Sequence, residues 1–256
     1  MKIKVLHGFF IRHNQIDFSR QSIWCIHGFA DSGLAYREVF ESPLCDDFNI
    51  YVVDMPGFGS SPLQRKYPSI DQHAEILSKV IEEETGSQQK VNVISHSLGS
   101  LAGTWICRSL RNRINYFFSV EGNLTEADGY FSSKPLKFKS IQDFMESFGQ
   151  EIFERAMLED RYKRYYGSFM LASPKGMLNW SETSQEYTKE NRCGFEFRDL
   201  TCNKIYIWGD RDTPSETQAF IKKHKLPNKK YKGIGHWHMV ENATEFYADI
   251  HAVLRP

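Results

Sequence analysis

Residues 91–100 carry the pattern in this sequence that most directly suggests catalysis. They read Val-Asn-Val-Ile-Ser-His-Ser-Leu-Gly-Ser, a run of β-forming residues that leads into a helical stretch. Ser97 lies at the junction, with the small residues Ser95 and Gly99 two positions before and after it. A tight strand-to-helix turn admits only small side chains at these flanks and exposes its central residue. The pattern therefore favours Ser97 as a nucleophile, although glycine is more usual than serine at the first flank.

A serine nucleophile needs two partners, and candidates for both follow further along the chain. A serine hydroxyl is weakly nucleophilic at neutral pH, so a histidine must accept its proton and a carboxylate must orient that histidine. Asp210 and Asp212 follow the strand-like run 204–208. His236 and His238 precede the last helical stretch. The spacing of these histidines would also suit a metal ion, but no third ligand has a suitable spacing, so we predict neither a metal nor a cofactor.

Short apolar runs that alternate with longer amphipathic stretches predict the elements that position these side chains. Such alternation indicates a mostly parallel sheet with crossover helices. Residues 1–18 instead alternate apolar with polar side chains, which predicts an antiparallel strand pair at the sheet edge. We predict an α/β fold with a twisted sheet of about eight strands and helices on both faces. The predicted buried strands are residues 22–27, 49–54, 91–95, 114–120 and 204–208.

Apolar residues at helical spacing predict the main helices. No buried-strand pattern occurs between residues 123 and 199. We therefore predict a single domain, with a core of residues 1–122 and 200–256 and a helical cap of residues 123–199 inserted after the sixth strand. The apolar stripes of the cap fit a helical core, and some of them could also line a pocket. The predicted helices are 70–84, ending at Gly86, 97–110, 141–158 and 243–254, ending at Pro256.

The composition excludes several classes of protein. The 256 residues hold 32 Lys and Arg against 32 Asp and Glu, so the net charge is zero. Nucleic acid is not an expected partner, because the chain lacks the basic character that phosphate contacts require. Five cysteines without a Cys-x-x-Cys pair favour free thiols in a reducing, cytoplasmic location. We also expect no membrane span, since no segment approaches about 20 apolar residues.

Five motifs in a fixed order make the chain resemble the α/β-hydrolase superfamily, in its branch of small intracellular serine hydrolases with a helical cap. The resemblance covers nearly the whole chain. The pair Gly57-x-Gly59 belongs to one of these motifs, and it fails as a dinucleotide motif because Pro62 replaces the third glycine. The motifs are His-Gly-Phe at 27–29, Asp-Met-Pro-Gly-Phe-Gly-Ser-Ser at 54–61, the turn 95–99, Gly-Asp-Arg-Asp at 209–212 and Gly-His at 235–236.

The resemblance implies a role for each candidate of the triad. Ser97 is the nucleophile and His236 the base. Asp212 is the orienting acid, because the acid of related sequences lies three residues after the glycine. Asp210 is then a turn-forming carboxylate, and His238 a partly exposed histidine at a helix entrance.

The resemblance also implies the residues that surround the triad. The backbone N–H groups of Phe29 and Leu98 would form the oxyanion hole, where an amide at a helix N-terminus stabilises developing negative charge. The side chain of Phe29 would shape the acyl pocket. His27 and Gly28, which belong to the first motif, and Trp237, which adjoins His236, are candidate substrate contacts.

Glu121 is a further carboxylate that the sequence places near the site. It follows the strand 114–120, and so lies at the carboxyl edge of the sheet, where ligands bind in open α/β folds. Some lipases of the superfamily carry their triad acid after this strand. Glu121 is therefore expected to contact substrate, to support the histidine as an auxiliary acid, or to cap the first segment of the cap.

The resemblance implies a serine hydrolase that cleaves a carboxylic ester or thioester through an acyl-enzyme on Ser97. The aromatic-rich cap favours a small-molecule substrate with an apolar acyl or aryl group, and zero net charge favours a neutral ester. The basic cluster Arg161, Lys163 and Arg164 fits a solvated helix face, with an acyl-carrier protein as the alternative partner. Two other functions stay open: a C–C bond hydrolase or lyase with the same triad, and a non-catalytic ligand-binding relative.

Overall fold

Eight strands make up the central sheet in a computed structural model, which describes residues 1–62, 69–86 and 88–255. The five predicted buried strands are all present, each within one residue of its predicted bounds, because strands buried on both faces show nearly continuous apolar character. The strands are β1 (Lys2–Leu6), β2 (Phe9–His13), β3 (Ser22–Ile26), β4 (Asn49–Asp54), β5 (Val91–His96), β6 (Ile114–Val120), β7 (Asn203–Gly209) and β8 (Asn228–Tyr231).

The sheet is mixed but mostly parallel, in the order β1-β2-β4-β3-β5-β6-β7-β8. Strands β3 to β8 pair in parallel, while β1 pairs antiparallel with β2, and β2 antiparallel with β4. The predicted antiparallel pair at the edge is thus confirmed. The carboxyl ends of β5, β6 and β7 lie side by side, so the residues that follow these three strands meet at one edge of the sheet.

Helices occupy both faces of this sheet, as predicted. On one side α2 packs against α3, and α3 lies on β5 and β6. On the other, α9 and α10 contact the 3-10 segment Gly33–Glu41. Within the described ranges the α-helices are α1 (Leu44–Asp47), α2 (Ile70–Thr85), α3 (Gly99–Leu110), α4 (Ile141–Leu158), α5 (Asp160–Leu171), α6 (Pro174–Thr188), α7 (Arg192–Arg198), α8 (Ser215–Lys223), α9 (His238–Glu241) and α10 (Ala243–Leu254).

Three of the four predicted helices have nearly the predicted bounds, and the fourth starts later than expected. Helix α2 ends before Gly86, whose φ of 66° is a backbone conformation that favours glycine. The helix predicted from residue 97 begins instead at Gly99, because Ser97 has φ 51° and cannot belong to a right-handed helix. Pro256, the predicted end of the last helix, lies outside the described residues.

The described chain between β6 and β7 is helical, in agreement with the idea of a helical insertion. It contains α4 to α7 together with short 3-10 segments, of which Glu126–Tyr130 is the first. Phe144, Phe148 and Phe169 pack ring against ring in its interior, so this part of the α4 stripe is helical core as predicted. Phe153 and Met157 of the same stripe are instead exposed. The boundaries 123–199 stay a prediction, and we call these residues the cap.

Candidate active site

The turn between β5 and α3 holds Ser97 in an unusual backbone conformation. Its φ of 51° is in the left-handed region, and its N–H donates to the carbonyl of Val120 at the end of β6 (N···O 2.9 Å). A Cβ on Gly99 would collide with the carbonyl oxygen of His27, and one on Gly28 would come within 2.8 Å of the Ser97 Cβ. The close approach of these backbones is the physical reason for small residues around Ser97.

Ser97 and His236 line the same narrow pocket. Three other residues predicted for the site, Gly28, Phe29 and Trp237, also line it. From the core, Asp31 and His96 complete the wall. The cap contributes Asp128, Tyr130, Phe131, Ser132 and Tyr165.

Hydrogen bonds to the main chain fix the loop that carries His236. Its N–H donates to Asp212 Oδ2 (3.0 Å), and its carbonyl accepts from Nε2–H of His96 (2.9 Å). Burial, followed by the proximity of His236, lowers the pKa of His96 well below its ordinary value, so His96 is a neutral donor. The loop thus has its position set from β5 and from the end of β7.

The imidazole of His236 faces a hydroxyl and a carboxylate. Its Nδ1 lies 3.0 Å from the hydroxyl of Tyr130 and 3.9 Å from Glu121 Oε2. The side chain of His236 is 8% exposed and that of Glu121 is 3% exposed, so water screens this pair little. Tyr130 was not singled out from the sequence, because it lies in a short 3-10 segment without apolar periodicity.

Asp212 contacts the backbone of His236, whereas the sequence predicted a contact with its ring. The carboxylate also accepts a short hydrogen bond from Arg161 of the cap, and Arg211 is 3.8 Å away. Across the described part of the chain, no hydrogen bond joins Asp212 to the imidazole of His236. Motif spacing does not reveal a cap arginine that binds this carboxylate. The role of Asp212 as the orienting acid stays a prediction.

Glu121 lies immediately after β6 in a densely hydrogen-bonded position. Its carboxylate accepts from the N–H of Gly209 (2.5 Å), from the hydroxyl of Thr213 (2.8 and 3.0 Å) and from Nε2 of His238 (3.2 Å). Burial raises the pKa of Glu121, but hydrogen bonds and charge interactions with His236 and His238 together outweigh this effect. The net shift of the pKa is downward, so the group is ionised. Thr125 and Asp128 cap the first cap segment, so the expectation that Glu121 caps it was wrong. Glu121 is not among the residues that line the pocket, and its contact with substrate stays a prediction.

Two histidines differ from their predicted environments. His238 is fully buried instead of partly exposed, because its ring reaches inward to Glu121. His27 was a candidate substrate contact, but its Nδ1–H donates to the carbonyl of Gly28 and its Nε2 accepts from the N–H of Met55. Both ring nitrogens of His27 are therefore occupied by the main chain, and its ring does not line the pocket.

The backbone N–H groups of Phe29 and Leu98 were predicted to form the oxyanion hole. Within residues 1–62, 69–86 and 88–255, neither group donates a hydrogen bond to another protein group. Both residues are buried. Buried N–H groups are nearly always paired, so two such unpaired donors beside Ser97 are suited to an incoming oxyanion.

Trp237 joins the loop of His236 to the cap. Its Nε1–H donates to Asp31 Oδ2 (3.2 Å), and its ring lies against Tyr162 and Tyr165 of α5. Asp31 was not singled out from the sequence; burial, the largest influence, raises the pKa of this carboxyl.

The three residues of the basic cluster in the cap are engaged in ion pairs. Arg161 binds Asp212, Lys163 binds Asp160 and Arg164 binds Glu38 through two hydrogen bonds. Arg161 and Arg164 are largely covered and so differ from the solvated helix face expected of them, whereas Lys163 is exposed as expected. Asp210, the predicted turn carboxylate, accepts from the N–H of Gly233 (2.7 Å).

Other features of composition can be stated for the described residues. All five cysteines are free thiols, as predicted. No cluster of three or more His, Cys, Asp or Glu side chains in the described ranges is arranged to hold a metal ion. No helix among these residues has the length and apolar character needed to cross a membrane.

Comparison with known proteins identifies the class. A family model described as the alpha/beta hydrolase fold matches residues 21–154, which is more than half of the chain. The chain therefore belongs to the α/β-hydrolase fold family, as the sequence motifs indicated.

Solved structures with the same fold span nearly the whole chain. An N-acyl homoserine lactonase, AidH, is similar with a TM-score of 0.77 and 16% identity, over 99% of this chain and 96% of that chain. A bromoperoxidase from Bacillus anthracis has a TM-score of 0.75 and 18% identity, over 97% and 95% of the two chains. A thermophilic esterase from Thermogutta terrifontis has a TM-score of 0.71 and 16% identity, over 96% and 93%. At these identities the likeness shows the fold alone.

Proposed function

We propose that this protein is a serine hydrolase that cleaves a carboxylic ester or thioester through an acyl-enzyme on Ser97. The observation that carries the proposal is the left-handed turn at Ser97, which opens onto a pocket shared with His236. A residue other than glycine adopts such a conformation only at an energetic cost, and such strain is concentrated at functional sites.

The chemistry follows from the groups that line this pocket. His236 takes the hydroxyl proton as Ser97 Oγ attacks the carbonyl carbon, and the N–H groups of Phe29 and Leu98 stabilise the oxyanion. The proton then passes from His236 to the leaving alcohol or thiol as the acyl-enzyme forms. Water attacks this intermediate and gives a proton to His236, and the acid is released as Ser97 recovers its proton.

Two carboxylates are candidates for the group that orients His236. Asp212 is the one that the motif order predicts, and it holds the backbone of His236. Glu121 is the carboxylate that lies beside Nδ1 of the His236 ring. Either assignment is compatible with acyl transfer through Ser97 and His236.

The lining of the pocket supports a small neutral substrate with an apolar acyl or aryl group. Phe29, Phe131, Tyr165 and Trp237 are among its lining residues, and aromatic side chains are typical of sites that hold apolar ligand groups. Ion pairing of Arg161, Lys163 and Arg164 leaves little support for an acyl-carrier protein as partner. The five free thiols support a reducing compartment, the cytoplasm, as the location.

A fluorophosphonate probe and a substrate panel test this proposal. We expect the probe to label Ser97, and p-nitrophenyl esters and acyl thioesters of graded length to be hydrolysed with a clear length preference. The Ser97→Ala variant should lose both activities. A wild-type protein that the probe does not label would point to the non-catalytic alternative. Labelling with no turnover across the panel would favour the C–C bond hydrolase or lyase.

A further inference from the structure

The geometry points to Glu121, and not Asp212, as the carboxylate that orients the imidazole of His236. The inference rests on the proposed serine hydrolase chemistry, since it assigns the third member of that catalytic group. Under it, Asp212 fixes the backbone of the loop that carries His236.

The two carboxylates approach different parts of His236. Glu121 Oε2 lies 3.9 Å from Nδ1, whereas Asp212 Oδ2 accepts from the main-chain N–H. A main-chain hydrogen bond sets where the loop lies, but it does not select the tautomer of the ring. Only a group beside Nδ1 holds the proton there and leaves Nε2 free to accept the proton of Ser97. Catalytic hydrogen bonds are often long before substrate binds and shorten in the complex.

Glu121 is also the more deeply buried of the two, with 3% of its side chain exposed against 24% for Asp212. Gly209, Thr213 and His238 donate hydrogen bonds to its carboxylate. Its own N–H donates to the carbonyl of Ile207 in β7 (2.8 Å), and its φ is 48°, in the left-handed region. The hydrogen bonds with Ile207 and Gly209 place Glu121 at the carboxyl end of β7.

The charges around the two carboxylates also favour Glu121. Asp212 is paired with Arg161 and lies near Arg211, so cations already compensate its charge. Over the described ranges, only the imidazoles of His236 and His238 form ion-pair contacts with Glu121. A buried carboxylate without a permanent cation stabilises the imidazolium that forms when His236 accepts a proton.

His238 and Tyr130 complete this arrangement. His238 binds Oε1 through Nε2 at 3.2 Å, and Oε2, which also accepts from Thr213, is the oxygen on the side of His236. Tyr130 places its hydroxyl 3.0 Å from Nδ1. Burial, together with the charges of Glu121 and Asp212, raises the pKa of Tyr130 well above its ordinary value, so this hydroxyl adds no charge. Glu121 is thus the one charged acceptor beside Nδ1 among the described residues.

Matched substitutions separate the two assignments. The measurements are the rate of Ser97 labelling by a fluorophosphonate, together with kcat and KM for the best ester. Glu121→Gln keeps the side-chain volume and removes the charge, and we expect a fall of about a thousandfold or more in kcat and in labelling, with KM nearly unchanged. Asp212→Asn is expected to cost less than about tenfold. The reverse order of effects would overturn the inference.

The result is interpretable even if Glu121→Gln does not fold. In protein with isotopically labelled histidine, a strongly deshielded Nδ1–H resonance is expected, identified by its loss in His236→Gln. Its persistence in Asp212→Asn would support Glu121, and its loss there would overturn the assignment. A wild-type protein that the fluorophosphonate does not label contradicts the proposed function itself. Wild-type labelling that is unaffected by Glu121→Gln contradicts only this inference.

Discussion

Ser97 is one of the residues other than glycine with a positive φ, and the effect of this strain on stability can be measured apart from activity. The left-handed backbone conformation costs residues other than glycine about 1 to 2 kcal/mol of conformational energy, whereas glycine adopts it readily. The hydrogen bond from Ser97 to Val120 and the close contacts around Gly28 and Gly99 hold this conformation in place.

We expect Ser97→Gly to be more stable than Ser97→Ala by about 1 kcal/mol, because glycine removes the steric cost of φ 51°. Urea unfolding of the two variants measures the difference. At Ser109, an exposed position within α3, the same comparison should have the opposite sign, with glycine about 1 kcal/mol less stable than alanine. Equal stability of the two Ser97 variants would mean that this turn stores no strain.

The sequence predicted the local part of the site better than the long-range part. Ser97 is recognisable because its neighbours in the chain determine the turn. The contact between Glu121 and His238 joins residues 117 positions apart, and it depends on how β6 and β7 lie beside each other. His238 therefore seemed partly exposed, although its ring is buried against that carboxylate.

At the scale of elements, buried strands and long amphipathic helices were predictable, and short capped segments were not. Strands β3 to β7 and helices α2, α4 and α10 have the apolar patterns that their burial requires. The 3-10 segment Glu126–Tyr130 begins with a capping box between Thr125 and Asp128. Its five residues are too few for a periodic pattern, yet it places Tyr130 against His236.

A buried ion pair joins β2 to the end of β4. Arg12 donates to both oxygens of Asp54 (2.7 and 3.2 Å), and Asp54 also accepts from the N–H groups of Gly33 and Ser60. The side chain of Asp54 is fully covered. The ion pair therefore fixes the segment after β4 and the start of the Gly33–Glu41 segment together.

Arg12→Met is expected to lower the free energy of unfolding by about 3 to 5 kcal/mol, because it leaves an uncompensated charge on buried Asp54. Chemical denaturation measures this loss. The double variant Arg12→Met with Asp54→Asn should recover part of it. Arg20→Met, which removes an exposed pair with Asp17, should not change the unfolding midpoint measurably. A similar loss in both arginine variants would show that burial of the pair is irrelevant.

Helix α5 of the cap is linked to the loop of His236 through Arg161. Arg161→Met removes its contacts with Asp212 and Glu241, and we expect a loss of about 1 to 3 kcal/mol in stability. The thermal midpoint and hydrogen exchange at residues 235–238 measure the effect. Lys163→Met, on the exposed side of the same helix, should leave both unchanged. Exchange in the loop that is unaltered by Arg161→Met would contradict a role for α5 in holding it.

At the scale of the whole molecule, buried neutral histidines make stability depend on pH. Burial lowers the pKa of His73 to about 4, with nearby Asp71 acting in the opposite direction, and burial also lowers the pKa values of His27 and His96. In the unfolded chain a histidine has a pKa near 6.5. Between these values the unfolded chain binds a proton that the folded chain does not, so stability falls as the pH is lowered through this window.

We expect the free energy of unfolding to fall between about pH 6.5 and about pH 5, by roughly 1.4 kcal/mol per pH unit for each such histidine. His73 contacts Trp180 of the cap and lies outside the pocket, so it can be replaced without direct effect on Ser97. His73→Gln should reduce the slope of the unfolding free energy against pH by roughly 1.4 kcal/mol per pH unit, the contribution of one proton. Urea unfolding across this range measures the slope, and an unaltered slope would mean that His73 is not buried as a neutral group.

The loop of His236 is held by both parts of the molecule, and this limits how the protein can be rearranged. Tyr130, Arg161 and the aromatic rings of α5 contact His236, Asp212 and Trp237 from the cap, while His96 and Glu121 approach from the core. The cap therefore helps to position the His236 loop and cannot be exchanged without disturbing it. A chimera that carries the cap of another hydrolase would retain Ser97 on its turn but lose the cap contacts that position His236.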